Sequence, residues 1–324
     1  MPELADVFTG LESDQDLPDT LYHYTDIAGL KGIWEDGHLW ATGARFLNDT
    51  TELQLGGLLV QSRLAKRQGD LLKENAAIMQ RKLDLLMAEE PVDDVYFDEA
   101  LAKNGPELIE SAEILSAAED AEKYMVGHIA CLSEKHDQLS QWRGYAREGY
   151  CVGFDTKLLL DSLNEERIMR RVHYYNEATN EEYAARIIEI AKQHRRVMLE
   201  HPELAATIDE DGRKWIIGRR VSVHAAFMKD SHFGEEKEVR IVEINGTPDL
   251  FTPHRYGMVP RIFIPLPDGC IRSVTIGPTP HKELKLRSLF DYFHSVRFKK
   301  REGKPPEGEL LPTVGNSAIP YRDW

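Results

Sequence analysis

The stretch Phe233-Gly234-Glu235-Glu236-Lys237-Glu238-Val239-Arg240-Ile241-Val242 carries the side chains best suited to chemistry. Read as a strand of period two, it turns Glu236, Glu238, Arg240 and Val242 to one face and Lys237, Val239 and Ile241 to the other. A face bearing two carboxylates and a guanidinium is costly in a core unless each charge finds a partner. Two readings follow. The stretch is a solvated strand face with its apolar side inward, or it presents a carboxylate pair, Glu236 and Glu238, on a rigid strand at the rim of a cleft. A third use of the same residues is metal-dependent hydrolysis of a phosphodiester. Glu235-x-Lys237 has the spacing of such a centre, with Asp49 or Glu52 as a further ligand for magnesium.

Other residues could contribute. His23 sits on a predicted strand between Tyr22 and Tyr24 and faces away from both; the plain alternative is a hydrogen-bonded core histidine. Asn48-Asp49 with Glu52 reads as an Asx-turn opening a helix. Ser133 closes the apolar strand His128–Leu132, where a serine ordinarily serves only as a cap. In Gln141-Trp142-Arg143-Gly144-Tyr145-Ala146, Trp142 and Tyr145 form either a packed helical turn or a ring pair able to stack on a planar ligand.

These groups need a scaffold, and 324 residues are ample for a sizeable core. With 42% hydrophobic and 29% charged residues the composition is that of a soluble globular protein. No apolar run approaches the roughly 18 residues of a membrane span, so no membrane partner is expected. The acidic N-terminus has no apolar signal core, and Cys131, Cys151 and Cys270 are too widely spaced for a disulfide framework or a zinc knuckle. The expected location is the cytoplasm. The net charge of −15 is uneven: residues 1–125 hold 26 acidic against 10 basic side chains, concentrated in 84–122. That balance argues against non-specific nucleic-acid binding, while the basic clusters of the later part leave room for a local basic groove.

The positioning elements follow from periodicity. After a leader over 1–20, a strand Leu21–Thr25 leads to a helix Ile27–Glu35 capped by Asp26 and closed by Asp36-Gly37. A strand His38–Thr42 follows, then a long helix to about Gly69. Acidic helical sequence over 70–125 is expected to break near Pro91 and at Asn104-Gly105-Pro106. Strands are predicted at Val126–Ser133, Gly149–Phe154, Arg170–Tyr175, Glu238–Ile244, Arg261–Pro265 and Ser273–Ile276. Helices are predicted over 177–230, jointed near His201-Pro202, and over Lys282–Phe293. The sum is one α+β domain, 21–324, with helical insertions at about 55–125 and 177–230.

In chain order this gives a strand histidine, a strand serine followed by an aromatic turn, and a strand Glu-x-Glu. That order resembles the ADP-ribosyltransferase superfamily, whose split β-sheet core the resemblance implies here. Leu21–Thr42 resembles the opening of its nucleic-acid-directed members, Ala130-Cys131-Leu132-Ser133 a degenerate middle motif, and Glu236-Lys237-Glu238 the last motif of its arginine-directed members. The chain also resembles a bacterial family known as domain of unknown function 2971, through LYHYT, FLNDTTE, ACLSEKHDQLSQWRGYAREGYCVGF, FGEEKEVRIV, SVTIGP and SAIPYR, which span 21–322 in order. Members of that family are associated with toxin and anti-phage defence settings.

The superfamily resemblance implies that NAD is the substrate and that no metal is needed. His23 would hold a ribose hydroxyl, and Tyr24 and Trp40, or Tyr145, would stack on a ring of the dinucleotide, with Ser133 and Trp142 in the middle-motif region. Glu238 would stabilise the oxocarbenium-like state as nicotinamide leaves, and Glu236 would accept a proton from the incoming nucleophile. The acceptor, nucleic acid or protein, stays open, as does hydrolysis in place of transfer; a toxin setting admits an antitoxin or regulatory partner. The competing classes are the magnesium-dependent nuclease and a non-catalytic module that binds a nucleotide or a protein.

Overall fold

The computed structural model describes residues 12–47, 51–120, 123, 127–200, 209–255, 257–300 and 311–320. In chain order its main elements are β1 (Thr20–Thr25), α1 (Ile27–Asp36), β2 (His38–Gly43), α2 (Thr51–Met87), α3 (Asp94–Glu119), β3 (His128–Ser133), β4 (Tyr150–Asp155), α4 (Thr156–Asp161), β5 (Arg167–Arg171), α5 (Glu177–Glu200), α6 (Glu210–Ala225), β6 (Glu238–Glu243), β7 (Leu250–His254), β8 (Gly257–Pro265), β9 (Ile271–Ile276), α7 (Lys282–Lys300) and β10 (Thr313–Asn316). The architecture is mixed α+β around a central mixed sheet. None of the described helices is long and apolar enough to cross a membrane.

The chain divides into two compact units. The helical one spans 48–125 and 175–229. Its helices α2, α3, α5 and α6 bury Val60, Leu64, Ile114, Ala117, Ile187, Ala191 and Val221 against one another. Helix α2 runs on past Gly69 to Met87, and α3 continues through Pro106, where the sequence predicts a break. The chain does break before α3, whose first turn is capped by the Asp93 carboxylate accepting from Tyr96 N at 3.1 Å.

The other unit spans 11–47, 126–174 and 230–324 and holds the sheet. Its opening follows sequence expectation: Asp26 accepts from Gly29 N at 2.7 Å, Leu30 and Ile33 bury one face of α1, and Gly37 ends it at φ 68°. The sheet runs β10-β9-β4-β1-β3-β2-β8-β7, with β6 on the far edge of β3 and β5 beyond β6. Among the described strands of this sheet, β9 and β10 pair in parallel and the other pairs are antiparallel. Leu21, Leu39, Val152, Phe154, Met169, Val239, Ile241, Ile264 and Phe293 form the core.

Strand β3 is where the sheet forks. Strand β6 covers one edge of it for its whole length, from His128↔Glu243 to Ser133↔Glu238. On the other edge β1 meets it only at Tyr22↔Ser133, and β2 only at Ile129 and His128. Between those points the β1 and β3 backbones stop pairing, so the middle of β3 faces an opening instead of a ladder.

The strand reading of Phe233–Val242 needs correction. Ser231–Glu236 is a 3-10 turn, Lys237 takes the left-handed conformation at φ 45°, and the strand starts only at Glu238. Period two therefore does not relate Glu236 to Glu238. All six residues of β6 are buried, so neither of its faces is solvated. Strands β7 and β10, which sequence periodicity does not predict, also belong to the sheet, and α7 extends past Phe293.

Candidate active site

The opening beside β3 is a cleft of about 60 Å³, lined by Tyr22, His23, Tyr24, Cys131, Leu132, Gln141, Tyr145, Glu236 and Glu238. Three separated segments supply it: β1, the middle of β3 with the turn after it, and the start of β6. The volume corresponds to roughly four water positions, enough for one polar head of a ligand.

His23 fills the gap where β1 and β3 part. Its Nδ1 lies 2.9 Å from the Cys131 carbonyl oxygen. A carbonyl can only accept, so the proton is on Nδ1 and the lone pair of the neutral ring is on Nε2. Burial lowers the His23 pKa from its ordinary value, opposed by the bond to Cys131, which favours the neutral ring near pH 7. No described residue bonds Nε2.

Glu238 opens β6, opposite Ser133, with its backbone N–H donating to the Tyr174 hydroxyl at 2.7 Å. Its carboxylate, 5% exposed, takes two bonds from Arg240, which is 1% exposed: Nε to Oε1 at 2.8 Å and Nη2 to Oε2 at 3.1 Å. The period-two relation does hold for this pair. It supplies the partner that a buried carboxylate requires, and the fork geometry holds Glu238 in the ionised form.

Glu236 reaches the same cleft from the 3-10 turn. The Tyr145 hydroxyl donates to its Oε1 at 3.0 Å. The turn is pinned from below by Ser133, whose Oγ donates to the Glu236 carbonyl at 2.6 Å and accepts from Lys135 N at 3.0 Å. Gln138 adds a bond from Nε2 to the Glu235 carbonyl at 2.7 Å.

The aromatic turn is built differently from a stacking pair. Trp142 is buried, and its ring meets Tyr24 edge-on at 4.9 Å. The Tyr24 hydroxyl donates to Lys135 O at 2.9 Å and accepts from Gln138 N at 3.0 Å, and burial raises its pKa. Trp142 Nε1 donates to Asp137 Oδ1 at 2.9 Å. Asp137 also accepts from Ser317 Oγ at 2.5 Å and Ala318 N at 2.7 Å. Burial pushes the Asp137 pKa up, but these three donors outweigh it and leave the carboxyl below its ordinary value. Ser317 and Ala318 thereby brace the turn that carries Tyr145. Gly277 packs under the same indole, where a Cβ would come within 2.9 Å of Trp142 Cζ3.

Three of the four non-glycine residues with positive φ among those described, Asp137, Arg147 and Lys237, lie in the turns that frame the cleft. Left-handed backbone at non-glycine positions clusters where tertiary structure dictates a site.

The structure thus brings His23, Tyr24, Tyr145, Glu236 and Glu238 to one cleft, with Ser133 and Trp142 directly behind its lining. Trp40 lies elsewhere, on β2 beside Phe263 with ring centroids 6.4 Å apart. Glu235 and Lys237 are exposed and do not line the cleft. Asp49 and the side chain of Glu52 lie outside the described residues. Among those described, no three His, Cys, Asp or Glu side chains gather as metal ligands. Gln141 and Asp137 carry no expected role in the sequence, although the spacing of four between Gln141 and Tyr145 on a helical turn places both on one side.

No curated protein and no solved structure matches the chain. The family described as protein of unknown function (DUF2971) matches residues 141–241. That segment runs from Gln141 through Tyr145 and Glu236 to Glu238 and Arg240, and over it the chain is similar to this family.

Proposed function

We propose that the cleft is the reacting centre of an ADP-ribosyltransferase-like enzyme that uses NAD as substrate. The observation that carries this reading is the convergence of His23, Tyr145, Glu236 and Glu238, from three separate segments, on the single opening where β1 leaves β3. A purely structural role for these groups would not require them to face the same space.

The geometry supports the following roles. The neutral His23 ring offers Nε2 to a ribose hydroxyl, while Cys131 fixes its orientation. Glu238 keeps a negative charge inside low-dielectric surroundings because Arg240 compensates it. That charge stabilises the positive ribose that develops as the bond from C1′ to the nicotinamide nitrogen breaks and nicotinamide leaves with the electron pair. Glu236, aimed by Tyr145, accepts the proton of the attacking hydroxyl, amine or water, whose lone pair forms the new bond to C1′. The cleft takes the reacting end, and the remainder of the dinucleotide extends beyond it.

Saturation-transfer NMR of NAD with the purified protein tests binding directly. The reading expects transfer to nicotinamide and adjoining ribose protons, and its loss in His23→Asn. No transfer to NAD with the wild-type protein would contradict it.

A further inference from the structure

Helix α2 of the helical unit buries one side, with Val60, Leu64 and Leu71 inside, and leaves another side open along most of its length. On the open side, positions spaced alternately four and three apart are Leu72, Ala76, Met79, Leu83 and Leu86. All five are exposed, the four large ones by 51–57%. The same spacing read backwards gives Gly69, Ala65, Ser62 and Leu58, of which all but Gly69 are exposed too. None of these nine side chains is charged, in a helix with ten charged residues elsewhere. An apolar repeat of about 3.5 residues sustained over some four heptads is the seam of a coiled coil; a solvated helix face carries charge. Gly69 is a second observation. Glycine inside a helix is unfavourable relative to alanine, yet a Cβ there would meet no described atom within 4 Å. Nothing in the described chain calls for glycine at this point, whereas the close approach of another helix does.

We propose that the protein pairs with a second copy of itself through this stripe, α2 against α2, antiparallel about a two-fold axis near Leu72. The orientation follows from side-chain size. The half of the stripe at 58–69 is mainly small, and the half at 72–86 is mainly large. Antiparallel pairing lays the large half of each copy on the small half of the other. Parallel pairing would crowd large on large and leave a void between the small halves. Charge agrees with this. Lys66, Lys73, Asp70 and Asp84 flank one side of the stripe, and the two-fold axis carries Lys73 to Asp70 of the second copy and Lys66 to its Asp84. The Lys73–Asp70 pair within the helix is exposed and 3.5 Å long, weak enough to exchange for these contacts. The stripe covers 29 residues, about 43 Å of helix at a width of about 10 Å. Two copies together then cover on the order of 1,000 Å², the size that a specific pair requires.

Sedimentation equilibrium of the full chain tests the pairing, beside the double variant Leu72→Glu with Met79→Glu. Both side chains are more than half exposed, so the variant is expected to keep its circular dichroism and melting temperature. Wild type is expected at twice 37.0 kDa in the micromolar range and the variant at 37.0 kDa, its self-affinity lowered by about a hundredfold or more. If the double change perturbs folding, Met79→Lys alone takes its place with the same expected dissociation. Orientation is read with a short bismaleimide on Leu58→Cys and Leu86→Cys, against the wild-type background. Antiparallel pairing cross-links a mixture of these two variants and neither one with itself. A wild type that is monomeric at every concentration, or a dimer that survives in the folded charge variants, overturns the proposal. Cross-linking of each cysteine variant with itself overturns the antiparallel arrangement.

Discussion

Glu238 and Arg240, two residues apart on β6, bond each other through both carboxylate oxygens in a strand whose six residues are all buried. A buried charge there requires compensation, and each supplies it to the other. The pair keeps a carboxylate ionised at the edge of a cleft while leaving the sheet intact around it.

Removing one member should therefore be far worse than neutralising both. Arg240→Ala removes both of these bonds from the buried Glu238 carboxylate and is expected to cost about 3–5 kcal/mol, whereas Glu238→Gln with Arg240→Gln leaves a neutral hydrogen-bonding pair and should cost much less. Denaturant melts of the single and double variants check this. A loss in the double variant as large as in Arg240→Ala would contradict the claim that the uncompensated charge carries the cost.

Tyr145 offers a gentler probe. Its ring is largely exposed and its hydroxyl contacts Glu236. Tyr145→Phe is expected to leave the melting temperature nearly unchanged and to reduce turnover by roughly tenfold, the worth of one hydrogen bond of about 1.4 kcal/mol. The loss should fall on kcat, since Glu236 acts on the nucleophile. Unchanged turnover would remove Tyr145 and its hold on Glu236 from the mechanism.

Stability should fall on mild acidification. His23 and His128 both titrate below the ordinary value of 6.5, burial being the first cause in each. Between 6.5 and their lowered values the unfolded chain binds more protons, so stability is full above 6.5 and declines as pH falls through that window. His23→Asn should flatten the decline by up to one proton, a slope of at most about 1.4 kcal/mol per pH unit. Melts at pH 8, 6 and 5 read it, and an unchanged slope in the variant would assign the dependence elsewhere.

Asp137→Asn isolates the brace under the aromatic turn. Asparagine accepts the left-handed backbone that Asp137 holds at φ 55°, so the change tests hydrogen bonding and not strain. One carbonyl oxygen cannot replace a carboxylate that accepts from Trp142, Ser317 and Ala318. A loss of about 1–3 kcal/mol is expected, with altered Trp fluorescence. No change in either would mean that Ser317 and Ala318 do not act as a brace.

The sequence exposes local signals well and context poorly. Asp26 and Gly37 bound α1 because a cap and a left-handed glycine act within a few residues. Pro106 misleads, because α3 buries Phe97, Ile114 and Ala117 along one helix and this packing outweighs a single missing backbone donor. Lys237 gives no warning of its left-handed backbone, so the turn that carries Glu236 reads as strand. The cleft residues His23, Tyr145, Glu236 and Glu238 were legible as chemistry, but their meeting depends on where β1 parts from β3, a long-range pairing that no local pattern encodes.

The most direct measurement is release of nicotinamide from NAD by wild type beside the double variant Glu238→Gln with Arg240→Gln, both shown to be folded by their melting curves. The reading predicts release by wild type and its loss in the folded double variant, by about a hundredfold or more for a charge acting on the transition state. Equal release by the two proteins, or none by wild type in the presence of NAD and cell lysate, would contradict it.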